Sequence, residues 1–309
     1  MTRSGVDIDG KTALTGIIGF PVEHSLSPVI HNTGFSSIGI NCIYIPLQIY
    51  PGQLKNAIIG LKSLGFIGAN VTAPYKTEII KFLDAIDPVS EKLQAVNTLL
   101  ISRSTQDPKI TGFNTDVYGF SEGARDNGYD LSNTSLAVVV GAGGAARAVV
   151  YALIEAGVKK VVILNRDIQK AQNLVDSLCQ DNNETKRVEI RTLTQDHIHH
   201  WVQQADLLVN TTPLGTWPKT EASIWPVGKA FPRHTTVYDL VYNPDMTLLM
   251  KQAFDEGAPV IGGITMLIHQ AAKAFQLWTG EAAPVSLMTS TAKMALKKLS
   301  DAADTPDKN

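Results

Sequence analysis

Six residues constrain the fold of this chain more than any others. Gly141-Ala142-Gly143-Gly144-Ala145-Ala146 follows an apolar run, LAVVV at 136–140, and opens a helical stretch, AARAVVYALIEAG. The order is strand, tight turn, helix, and the GxGxxA spacing is a variant of the dinucleotide fingerprint. Gly141 permits the turn. Gly143 lets the backbone approach a pyrophosphate, whose charge meets the unpartnered N–H groups of the helix N-terminus. The small Ala146 lets helix and strand pack closely. Glycines also mark ordinary turns, so the flanking strand and helix are what favour the nucleotide reading.

The next strand-like run, VVILN at 161–165, ends in Asn165-Arg166-Asp167, about 20 residues on, where the ribose is read. An acidic residue there suits the 2′-hydroxyl of NAD. Here Arg166 comes first, and a guanidinium suits a 2′-phosphate. Lys170 stands one helical turn further. Both favour NADP, with NAD as the other cofactor to test. Asp167 either opposes that phosphate or caps the helix that starts there, and the cap is the favoured role.

The chain has 309 residues, long for one core, and this predicts two domains. With 44% hydrophobic residues it can bury a substantial interior, which excludes a disordered protein. A net charge of −2 gives no global basic field for nucleic acid or an anionic membrane. Cys42 and Cys179 form no CxxC pair and read as buried free thiols. MTRSGVDIDG lacks the apolar core of a signal peptide, and Arg147 interrupts the apolar stretch 136–156, so a cytoplasmic location is the expectation. The polar end, SDAADTPDKN, is expected to fray.

Short apolar runs alternate with helical periods, which predicts an α/β fold. In the first half, strands are expected at 15–20, 42–47, 66–71 and 95–102, with helices from Ser27-Pro28 to about Gly39, from Pro51 to about Leu64, and near 77–85. Ser27 reads as an N-cap before a first-turn proline. Strand–helix repetition implies parallel pairing. In the second half, strands are expected at 136–141, 161–165, 206–210 and 236–240, a solvated loop at 179–187, and helices at 264–279 and 286–299. The first domain boundary falls near Asp116.

Four first-half segments place polar residues beside apolar strands, where open parallel sheets bind ligands. They are HSLSP at 24–28, NVTAPYK at 70–76, AVNT at 95–98 and NTD at 114–116. Hydroxyls, amides, one lysine and one aspartate suit a polyhydroxylated ligand. Each segment also has a plain structural reading: Ser27 as an N-cap, Asn97 as a turn former, Asp116 as a helix cap.

These motifs, in this order over roughly residues 12–300, resemble the shikimate dehydrogenase family. The resemblance implies a substrate domain, 1–115 plus 263–309, around a Rossmann-type NADP domain, 116–262. It implies reversible reduction of 3-dehydroshikimate to shikimate. By motif, Ser25 and Ser27 correspond to hydroxyls that bind the substrate carboxylate, and Asn70, Thr72 and Lys76 to the contact and catalytic segment. Asn97 and Asp116 face the ring hydroxyls, and Tyr242 and Gln270 are late substrate contacts. Gly141, Ala142, Gly143, Gly144 and Ala145 correspond to the phosphate site, Asn165, Arg166, Asp167 and Lys170 to the ribose site. Leu240 and Gly263 meet the nicotinamide end. Lys76 and Asp116 are both candidates to handle the proton, with Lys76 the expected acceptor and Asp116 orienting it and the hydroxyl. Two positions depart from the family's pattern: NRD stands here for NRT, and Tyr75 for phenylalanine.

Other signals carry less. His197, His199 and His200 do not have the spacing of a closed zinc set, so no metal is expected. Trp217 and Trp225 lie after NTTPLG, in a loop beside the nicotinamide or in surface packing. His24 receives no role. A dual quinate/shikimate dehydrogenase using NAD or NADP is the alternative enzyme, and a non-catalytic sensor of the same ligands is the alternative of another class. The chain is expected to take a small-molecule substrate, with no nucleic acid or membrane partner, as a monomer or homodimer.

Overall fold

The computed structural model describes residues 8–102, 106–179 and 182–303. The chain divides into two compact units. One comprises residues 1–115 with 270–295, the other 116–269 with 296–309.

The first unit holds β1 (Ala13–Gly19), α1 (Ser27–Ser37), β2 (Cys42–Gln48), α2 (Leu54–Ser63) and β3 (Gly68–Val71). After a 3₁₀ turn at Glu78–Phe82 come β4 (Ala85–Ile86), α3 (Pro88–Leu93), β5 (Thr98–Ile101) and β6 (Ile110–Phe113). The sheet order is β2-β1-β3-β5-β6-β4. β1 pairs in parallel with β2 and β3, and β4 with β6, whereas β5 runs antiparallel to both β3 and β6.

Alternating side chains cover both faces of this sheet. Ile18, Val71 and Leu99 pack with Leu54, Ile58 and Leu61 of α2. Ile17 and Tyr44 pack with Phe35 of α1 and with Ala274, Phe275 and Trp278. The last three belong to α10 (Gly263–Thr279), which brings late sequence back to the first sheet. Trp278 Nε1 donates to the Leu99 carbonyl at 2.8 Å. A Cβ on Gly68 would overlap that indole, so this glycine sets how closely helix and sheet approach.

The second unit holds α4 (Asp116–Asp126), β7 (Leu136–Val140), α5 (Gly144–Glu155), β8 (Lys160–Asn165), α6 (Ile168–Leu178) and α7 (Asn182–Arg187). Then follow β9 (Val188–Thr192), α8 (Gln195–Val202), β10 (Leu207–Asn210), β11 (Thr236–Asp239), α9 (Leu248–Asp255) and β12 (Val260–Gly262). All pairs are parallel, in the order β12-β11-β10-β7-β8-β9. This is the doubly wound arrangement, with its switch point between β7 and β10. The strands are nearly continuous apolar runs because helices cover both faces. His269 Nε2 lies 2.6 Å from Asp126 Oδ2 and joins the start of α10 to the end of α4. The last helix is α11 (Val285–Ala303).

The α/β class and the four second-half strands agree with the sequence, and three details differ. β6, β9 and β12 were not among the expected strands; each is short or lies beside polar sequence. The helix expected near 77–85 is a 3₁₀ turn with a two-residue strand, and the helix begins only at Pro88. Residues 182–187 of the expected loop form α7, while 180–181 lie outside the described residues, as do 304–309 of the polar end.

Ser27 is also not an N-cap. α1 starts at Ser27 itself, after Leu26, with no side-chain cap bond. Ser27 is buried. Cys42 and Cys179 are buried free thiols. The histidine cluster lies on α8, capped by Thr194, and no metal-competent group of three occurs among the described residues. No described helix is long and apolar enough to cross a membrane.

Candidate active site

The mixed pairing of the first sheet explains how four separate motifs come to one edge. β1 and β3 are parallel, so their C-terminal ends coincide, with Ile18 beside Val71. Asn97 lies just before β5, not after a strand. Because β5 is antiparallel, its start aligns with the end of β3, with Asn70 opposite Thr98. β6 reverses again, so Phe113 faces Thr98 and the following Asn114-Thr115 returns to the same edge.

Buried hydrogen bonds join these motifs. Tyr44 Oη donates to Asn70 Oδ1 at 2.8 Å. Asn70 Nδ2 donates to Thr98 Oγ1 at 3.0 Å and reaches the Asn97 carbonyl at 3.3 Å. Asn97 Nδ2 donates to Thr115 Oγ1 at 3.0 Å, and the Thr115 amide donates to Asn97 Oδ1 at 2.8 Å. The Ser27 amide donates to Ser25 Oγ at 3.2 Å. Burial pushes the Tyr44 phenol far up from its ordinary range, so it stays protonated. Ser27, Asn70 and Asn97 are buried, and Ser25 is half-buried.

Thr72 and Lys76 are half-buried in the turn that follows β3. The Thr72 amide donates to the Ile18 carbonyl at 2.9 Å, and the Lys76 carbonyl accepts from Val96 at 2.8 Å. Tyr75 between them is buried, and its hydroxyl donates to the Ile49 carbonyl at 2.7 Å. The site therefore holds tyrosine where the pattern has phenylalanine, and the hydroxyl ties the lysine's turn to the end of β2. A Cβ on Gly19 would overlap the Thr72 methyl, so glycine there lets the turn close over β1. Gln270 is half-buried on α10 and belongs to this unit.

In the second unit Gly141 has φ +112°, a conformation open to glycine. A Cβ there would press on Thr211 and Thr212. Gly143, extended at the N-cap of α5, makes no side-chain cap bond. A Cβ on it would meet no atom within 4 Å, which leaves open space beside the first turn of α5. Its unpartnered N–H groups fit a pyrophosphate. Ala142 is buried, while Gly144 and Ala145 are half-buried.

Past β8, Arg166, Asp167 and Lys170 are exposed. Asp167 caps α6, accepting from the Lys170 amide at 3.0 Å, and Asn165 Nδ2 donates to the Asp167 carbonyl at 2.7 Å. With that carboxylate turned to the helix, Arg166 and Lys170 are the cations left for a phosphate.

Leu240 and Gly263 come together: a Cβ on Gly263 would overlap the Leu240 carbonyl. Beside them lies a buried polar cluster that motif reading did not single out. Asp239 Oδ1 accepts from Asn210 Nδ2 at 2.9 Å and from the Val241 amide at 3.1 Å, and Oδ2 accepts from Thr247 Oγ1 at 2.7 Å. Burial raises its carboxyl to about 6 despite these three bonds. Asn210 Oδ1 in turn accepts from the Thr212 amide at 3.0 Å. The loops after β10 and β11 are thereby tied together. Tyr242 is half-buried, and burial raises its phenol too. Trp217 is exposed, whereas Trp225 is core, donating to the Lys229 carbonyl at 2.8 Å. Asp116, the first residue of α4, is buried.

Tyr44, Thr98, Thr115 and Asp239 were absent from the sequence-derived site. Tyr44 is hidden by its apolar strand, and Thr98 and Thr115 are the unremarked ends of AVNT and NTD.

Known proteins match this chain along most of its length. Residues 17–99 match the model of the shikimate dehydrogenase substrate binding domain. Residues 124–222 match that of shikimate/quinate 5-dehydrogenase, and 263–293 the shikimate 5′-dehydrogenase C-terminal domain. A shikimate dehydrogenase (NADP(+)) of Moorella thermoacetica is 41% identical, covering 94% of this chain and 96% of its own. A solved shikimate dehydrogenase in complex with NADP+ superposes with a TM-score of 0.86 at 36% identity, over 96% of this chain and 99% of that one. The Thermus thermophilus shikimate 5-dehydrogenase, in complex with NADP(H) and shikimate, gives 0.80 at 34%, over 92% and 100%. A Corynebacterium glutamicum quinate dehydrogenase in complex with NAD gives 0.80 at 33%, over 91% and 98%.

Proposed function

The chain belongs to the shikimate dehydrogenase family, and on that premise we propose that it interconverts shikimate and 3-dehydroshikimate with NADP, a step of aromatic amino acid biosynthesis. The observation that carries the reading is the buried network that gathers NVTAPYK, AVNT and the start of NTD at one sheet edge.

Oxidising a secondary alcohol removes a hydride from carbon and a proton from oxygen. When bound, NADP+ supplies the hydride acceptor. The residues present fit it: Gly141–Ala145 offer open backbone at the start of α5, and Arg166 with Lys170 suit the 2′-phosphate. Lys76 takes the proton from the reacting hydroxyl. Ser25 and Ser27 anchor the carboxylate through converging neutral donors. Asp116 and Tyr242, in the second unit, are further proposed substrate residues. Asn97, Thr72 and Gln270 fix the ring. Asn70 supports this edge from beneath.

The test is absorbance at the reduced-nicotinamide band, with shikimate and quinate each offered with NADP and NAD. Turnover of shikimate with NADP is expected. Faster turnover of quinate with NAD would favour the quinate reading, and binding of shikimate without turnover the sensor.

A further inference from the structure

We infer that Tyr44 is a positioning residue for the substrate site, because its buried phenol fixes the orientation of Asn70 and, through it, of Asn97. The inference rests on the dehydrogenase reading above. It starts from a backbone carbonyl, that of Asn97, which can only accept. The amide end of Asn70 that faces it must therefore be Nδ2, at 3.3 Å. Nδ2 also donates to Thr98 Oγ1 at 3.0 Å. Oδ1 is left facing Tyr44 at 2.8 Å, and an amide oxygen only accepts, so Tyr44 donates. The phenol has one proton. That proton is committed to Asn70, so toward any other group the phenol oxygen can only accept. The Asn97 carbonyl thus sets the direction of these bonds, and the Tyr44 hydroxyl holds the Asn70 amide in that orientation.

Tyr44 is itself held on every side. The Asn32 amide bonds both backbone groups of Tyr44, each at 2.8 Å. His31 stacks on its ring with centroids 4.4 Å apart and planes 8° from parallel. Trp278 lies behind it at 6.0 Å. His31 is completely buried, and neither ring nitrogen has a hydrogen-bond partner among the described residues. It is a neutral plate against which the phenol cannot turn. A polar network of this kind fixes a geometry that apolar packing alone would leave loose. Removing the Tyr44 hydroxyl leaves Asn70 Oδ1 buried and unpaired, and the amide must turn or shift to recover a partner. Asn97, which it supports, then loses alignment with the ring it is proposed to hold.

The experiment is steady-state kinetics on wild type, Tyr44→Phe, Asn70→Ala and the double variant, with urea unfolding as the check on folding. Tyr44→Phe is expected to raise the shikimate KM about tenfold and to leave the NADP KM within about twofold. The double variant is expected to resemble Asn70→Ala alone, because both changes break one bond. Unchanged shikimate KM in a folded Tyr44→Phe, an equal rise in both KM values, or multiplicative effects in the double variant would each overturn the inference. If Tyr44→Phe does not fold, Asn70→Ala alone carries the test, because it removes the group through which Tyr44 acts: an unchanged shikimate KM, or an equal rise in both KM values, would overturn the inference. A wild type that turns over no shikimate overturns the dehydrogenase reading, and this inference with it.

Discussion

Lys76 sits in a turn whose backbone is pinned on both sides, by Thr72 to β1 and by its own carbonyl to Val96. Its side chain can be removed without disturbing those bonds. Lys76→Ala should therefore lower kcat by on the order of 10²–10⁴-fold, the usual worth of a positioned proton acceptor, with far less effect on shikimate affinity. Near-normal turnover at saturating shikimate would contradict the role. Arg166 and Asp167 are neighbours with opposite charges, and Asp167 is the one engaged as the cap of α6. Arg166→Ala should raise the NADP KM much more than the NAD KM. Asp167→Asn should leave that preference nearly intact, since asparagine caps a helix almost as well as aspartate. A marked gain in NADP affinity in Asp167→Asn would show that the carboxylate opposes the 2′-phosphate after all.

Among the elements, β10 and β11 end in a shared polar clamp, and its central carboxyl titrates where an assay can see it. Asp239 is raised from 3.8 to about 6 by burial, so the folded state prefers its neutral form. Below about pH 4 the proton is bound in both folded and unfolded chains. As pH rises from about 4 through 6, the unfolded chain releases it first, and the carboxyl then costs stability, on the order of 3 kcal/mol at full effect. Asp239→Asn keeps an acceptor for Asn210 and Val241 and cannot ionise. Its stability relative to wild type should grow between about pH 4 and 6 and then level off, as read by urea unfolding at a series of pH values. Two curves that stay parallel would show that this carboxyl does not titrate in that window. The first sheet makes a different point about elements. Its reversal at β5 brings the start of one strand to the ends of three others, so residues that precede and follow strands share one edge.

At the scale of the whole molecule, a cofactor that binds only the folded chain must stabilise it. NADP at about 100 times its Kd should raise the unfolding free energy by about 2.7 kcal/mol. Gly141→Ala should lose much of that gain, because alanine at φ +112° is strained and its methyl would press on Thr211. An equal shift in both proteins would remove the glycine turn from the cofactor site. Much of this architecture was legible beforehand. The GxGxxA turn, the apolar strands around it and the motif order established an α/β class and a nucleotide half, because spacing and hydrophobic period are local properties of the chain. Pairing direction is not local. Only the tertiary structure decided that β5 runs antiparallel, that Ser27 lies buried within α1 instead of capping it, and that Asp239 ties two loops. Each depends on partners far away in sequence, as Asn70 stands 26 positions after Tyr44, and a buried polar group's role is set by whichever partner satisfies it.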